Sequence, residues 1–69
     1  MKYFTVREEY ITLGQLLKAE GWADDGVMAK WMIRDGKAAV NGETELRRGR
    51  KLYPGDTVTF ENETVEIRK

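Results

Sequence analysis

The chain has 69 residues and a formal net charge of zero, with 12 lysines and arginines against 12 aspartates and glutamates. It contains neither cysteine nor histidine, which excludes disulfide bracing, thiolate zinc sites and the commonest general base and metal ligand. A chain this short is expected to be one domain, residues 1–69, that buries only about 60% of its unfolded surface and has little room for a deep substrate cavity.

Residues 1–7 hold too short an apolar run for a signal peptide, and no stretch approaches the roughly 20 apolar residues that cross a bilayer. A cytoplasmic protein without membrane contact is expected. Tyr3 to Val6 have strand propensity. Thr12-Leu13-Gly14-Gln15 reads as a capping box, and Leu13, Leu16 and Leu17 then form one helical stripe that Gly21 stops. Asp24 or Asp25 caps a second helix with Met28, Ala29, Met32 and Ile33 as its buried face and Gly36 at its end. Ala38-Ala39-Val40, Asn41-Gly42 and Glu43 to Leu46 read as a hairpin with a type I′ turn. Pro54-Gly55 marks a type II turn. Thr57 to Phe60 and Thr64 to Ile67 are strands around Glu61-Asn62-Glu63. The predicted class is α+β, two packed helices beside a small, mostly antiparallel sheet. Trp22, in the turn between the helices, is placed in the core or at its edge.

The neutral total hides a strong asymmetry. Residues 27–52 carry seven basic and three acidic side chains, a net +4, while the flanking segments are each −2. Local field matters more than the sum when a ligand meets one face. The densest cluster is Arg47-Arg48-Gly49-Arg50-Lys51, whose cations repel unless an anion such as a phosphate backbone offsets them. A solvated loop that only aids solubility is the plainer reading. On the second helix, Lys30, Trp31 and Arg34 lie on the half away from the apolar face. Trp31 is therefore a candidate base-stacking platform between two cations, or else packs against a strand or the N-terminal segment. The aspartates at 24, 25 and 56 are explained as cap and turn residues. No nucleophile–base pair and no phosphate-binding glycine loop is present, so no enzyme, cofactor or metal is expected.

Leu13-x-x-Leu16, Gly21, the run from Ala29 to Gly42 and Pro54-Gly55-Asp56-Thr57-Val58 together resemble the S4-domain family of RNA-binding modules, over about residues 11–60. Within that family the chain is most similar to the small stand-alone YaaA/YbcJ-type members, through Arg47 to Leu52. The resemblance implies an S4-like fold with an αL motif and binding of structured RNA, ribosomal or transfer RNA, with a place in ribosome assembly. It implies Lys30, Arg34, Lys37, Arg47, Arg48, Arg50 and Lys51 as contacting residues, which Trp31 joins from its place on the helix. It also implies a monomer that binds without catalysing. Two departures stand out: Thr12 replaces a basic residue, and Asp25-Gly26-Val27 replaces a serine-arginine pair at the second helix, which shifts weight to the loop. A protein–protein adaptor that offers the same basic face to an acidic partner is the alternative, since arginine serves carboxylates as well as phosphates.

Overall fold

A computed structural model describes residues 1–69. Strand β1 (Lys2–Thr5) runs parallel to β7 (Glu63–Arg68). The sheet then continues antiparallel through β6 (Thr57–Phe60), β3 (Ala38–Val40) and β4 (Glu43–Thr44), in the order β1-β7-β6-β3-β4. Strands β2 (Ile11–Thr12) and β5 (Lys51–Leu52) form a separate antiparallel ribbon. Helices α1 (Leu13–Ala19) and α2 (Gly26–Arg34) pack on each other beside the sheet. The class is the expected one.

Local chemistry accounts for the helix ends. Thr12 Oγ1 accepts from the Gln15 N–H at 3.3 Å, and Gln15 Oε1 accepts from the Thr12 N–H at 3.0 Å, which completes the capping box. Of the two aspartates, Asp25 caps α2, its Oδ1 accepting from the Met28 N–H at 2.8 Å. Asp25→Ala is expected to cost about 1 kcal/mol of folding free energy in chemical denaturation, because an N-terminal amide of α2 loses its partner. Each helix closes with a paired carbonyl capture: Gly21 and Trp22 N–H groups bond to Lys18 and Leu17, and Gly36 and Lys37 N–H groups bond to Ile33 and Met32. Gly21 (φ +77°) and Gly36 (φ +81°) supply the left-handed residue this ending requires.

The buried face of α2 differs from the expected one. Ala29 and Ile33 are buried and Met32 is partly buried, but Met28 is 39% exposed. The face centres between Ala29 and Ile33, so of the four expected residues Met28 falls outside it. The small Ala29 side chain turns toward α1, where it helps line a cleft, and the flexible methionines are left to the edge of the contact. Leu13, Leu16 and Leu17 of α1 meet Leu52 and the inward residues Val58, Phe60 and Ile67 in one core. Trp22 lies at the edge of that core, stacked on Phe60 at 4.9 Å, with its Nε1–H donating to Glu63 Oε2 at 3.0 Å.

The β3–β4 turn has both central residues left-handed, Asn41 at φ +52° and Gly42 at φ +88°, as a type I′ turn demands. Strand β4 stops at Thr44, short of the expected Leu46: the Glu45 N–H still bonds to the Ala38 carbonyl at 3.0 Å, the last rung of that register, and the Glu45 side chain turns inward. At Pro54-Gly55 the Asp56 N–H closes on the Tyr53 carbonyl at 2.9 Å, and Gly55 has φ +99°, as in a type II turn. The β6–β7 turn is one residue tighter than expected, with Glu63 already paired opposite Phe60.

Candidate nucleic-acid interface

The basic stretch is tied down at both ends. Its carbonyls cap the start of α1: the Leu13 N–H donates to Arg50 O and the Gly14 N–H to Arg48 O, each at 2.9 Å. These are amides that the helix itself cannot satisfy. The approach is close enough that a Cβ on Gly14 would sit 3.4 Å from both the Cβ and the carbonyl oxygen of Arg48. From Lys51 the chain enters the β2–β5 ribbon, so the loop is carried on the same short element that launches α1.

Beneath the loop lies Glu45, only 8% exposed. Its carboxylate accepts from the Arg47 backbone N–H (3.1 Å), Arg47 Nε (2.9 Å), Arg47 Nη2 (3.3 Å) and Arg50 Nη1 (2.7 Å). The hydrogen bonds from Arg47, then those from Arg50, hold the Glu45 carboxyl down to about 2. The mutual repulsion of the loop's cations is thus partly offset from within by an internal counter-ion, and an external anion is not required to hold the loop together. Sequence reasoning missed Glu45. Its signal was present in its position two residues before Arg47 and five before Arg50, but its burial is not readable from that spacing.

The remaining cations fall into distinct groups. Trp31 is 53% exposed and stands directly opposite the Ala29–Ile33 centre of α2, so it does not pack in the core. Lys30 Nζ lies 5.7 Å and Arg34 Cζ 5.4 Å from its ring, an arrangement in which the π face attracts both cations. Between the starts of the two helices and the loop is an open cleft of about 220 Å³, with Gly14, Lys18, Gly26, Arg48 and Gly49 on its walls. Lys18 was missed in the sequence because it sits on a helix whose other charges are sparse. Trp31 and Arg34 do not line this cleft, so the loop and the outer face of α2 are neighbouring patches and not one pocket. Lys37 is exposed just past the end of α2 and does not line the cleft. Lys51 Nζ lies 4.9 Å from the Tyr10 ring, and Tyr10 in turn contacts Tyr53.

No group of three or more carboxylates is gathered in a way that could hold a metal ion. No helix is long and apolar enough to cross a membrane. Fold and surface together define a small helix-pair module with a constrained cationic loop, suited to engaging an anionic polymer. The chain belongs to the S4 domain family, whose match spans residues 4–68. It is 47% identical over 57 residues to the probable ribosome maturation protein RlbA of Bacillus subtilis (strain 168), covering 83% of this chain and 80% of that protein. It is 36% identical over 61 residues to YbcJ of Escherichia coli (strain K12), covering 88% and 87% of the two chains. The solution structure of YbcJ, described as revealing an αL motif involved in RNA binding, superposes with a TM-score of 0.73 at 34% identity, over all of this chain and 89% of that one.

Proposed function

We propose that this chain, acting as one module over residues 1–69, binds structured RNA without catalysing a reaction. The observation that carries the reading is the Arg47–Lys51 loop, in which Glu45 orients Arg47 and Arg50 and the backbone is clamped to the start of α1. A preorganised cationic loop loses little entropy when it meets phosphates, so its charge is spent on binding. Arg48 and Lys51, with no carboxylate partner, offer point contacts. Arg47 and Arg50 present the N–H groups that Glu45 leaves over. Lys30, Trp31, Arg34 and Lys37 extend the surface along and beyond α2, with Trp31 as a stacking face.

The names of two relatives, ribosome maturation for one and RNA binding for the other, favour ribosomal RNA over transfer RNA as the target and support a role in ribosome assembly. The protein acts as a monomer in the cytoplasm. Crosslinking in cells followed by sequencing of the attached RNA tests this directly. Reads concentrated on ribosomal RNA are the expected outcome. Recovery of a protein partner that survives nuclease treatment, with no RNA crosslinked, would replace RNA binding with the adaptor reading.

A further inference from the structure

We infer that the Tyr53 ring, braced by Tyr10, is a stacking site for one unpaired RNA base whose phosphate lies on the Arg47 and Arg50 guanidiniums. The inference rests on the RNA binding proposed above and names the part of an RNA that this side of the loop takes. Ile11 pairs with Leu52, so the continuation of that antiparallel register sets Tyr10 opposite Tyr53. Their ring centroids are 5.8 Å apart with planes at 52°, and the residues are 39% and 42% exposed. Two large aromatics held together at the surface forgo hydrophobic burial that a core position would supply.

The geometry favours Tyr53 over Tyr10 and over the gap between them. A base cannot enter between the tyrosines, because two stacking contacts of about 3.5 Å each would need more than their present separation. One face of Tyr10 is taken by the Lys51 ammonium. Tyr53 instead borders an open hollow of about 550 Å³ whose other walls are Arg47, Gly49, Arg50 and Lys51. Glu45 occupies Nε and Nη2 of Arg47 and Nη1 of Arg50, which orients both guanidiniums and leaves N–H donors for a phosphate. Gly49 puts no side chain in the way, and a Cβ there would meet nothing within 4 Å. Aromatic face, flanking cations and open access are the requirements of a single-strand stacking platform. Trp31 is not among the walls of this hollow, so the site is separate from the α2 face.

The test uses the full chain and two RNA hairpins that differ at one bulged nucleotide, which carries adenine in one and is abasic in the other. Phosphates are the same in both, so the affinity ratio reports the base alone. Wild type is expected to prefer the intact bulge by roughly tenfold or more. Tyr53→Leu, which keeps apolar bulk without a π face, should bring the ratio to one, while Tyr53→Phe preserves it. Thermal melting of Tyr53→Leu checks that the fold persists, and if it does not, Tyr53→Ile and Tyr53→Met, which also keep apolar bulk without a π face, take its place. Equal binding of both hairpins by wild type, or a ratio unchanged in folded Tyr53→Leu, overturns the stacking site while leaving RNA binding in place. Absence of binding to either hairpin overturns both.

Discussion

Replacing Lys18 and Arg48 together by alanine is expected to weaken binding of structured RNA about ten- to a hundredfold, or ~1.4–2.8 kcal/mol, with little change in folding stability. Both side chains border the cleft between the helix starts, and neither has a carboxylate within ion-pair distance. Their charge therefore serves no internal contact that its removal would break. Exposed substitutions of this kind usually shift stability by less than about 0.5 kcal/mol. Binding measured by fluorescence anisotropy, beside a denaturant titration, separates the two effects. An unchanged affinity in the folded double variant would remove the cleft from the interface.

Glu45→Ala is expected to act the opposite way, costing about 1.5–3 kcal/mol of folding free energy in denaturant titration. The carboxylate is the hub for two arginines, but Arg47 is 74% exposed, so solvent screening keeps the loss toward the lower end. Glu45→Gln should lose less, since its amide oxygen still accepts. With both arginines released, either variant should bind RNA with a steeper salt dependence. The pH dependence follows from the depressed Glu45 carboxyl. Its contribution is fully present above the usual carboxylate range near 4.5 and is lost as pH falls toward about 2. Acid titration of wild type against Glu45→Gln should show that loss in wild type only. A further consequence concerns the obvious loop variant. Replacing Arg47, Arg48, Arg50 and Lys51 together strips Glu45 of its partners and is expected to destabilise the domain. The Lys18 and Arg48 pair is the cleaner probe.

Much of the fold was readable because its signals are local. Thr12 with Gln15, Asp25, Gly21, Gly36 and Asn41-Gly42 each act through hydrogen bonds or backbone angles within a few residues. What was not readable depends on distant partners: strand propensity marked Tyr3 to Val6, but not the strand it pairs with. Strand β1 pairs in parallel with the last strand of the chain, and the β2–β5 ribbon is two residues long, too short for any periodicity. The rotation of α2 that exposes Met28 follows from how it seats on α1, which spacing alone does not determine. The same division runs through the site. Charge density pointed to Arg47–Lys51, and helical geometry placed Trp31 outward, leaving only packing against a neighbouring segment to be settled by its exposure. Lys18 and the Tyr10–Tyr53 pair join the loop only through tertiary contacts, so no short pattern could reveal them, whereas Glu45 lies two and five residues from its arginines and only its burial was hidden.

Phosphate contact by the basic loop has one direct measure, the dependence of RNA affinity on salt. With about four phosphates neutralised, a plot of log K against log salt for a structured RNA should fall with a slope of about −3. The slope should become shallower by about one for each of Lys18 and Arg48 removed. A dissociation constant that stays flat between low and moderate salt contradicts phosphate binding by this loop.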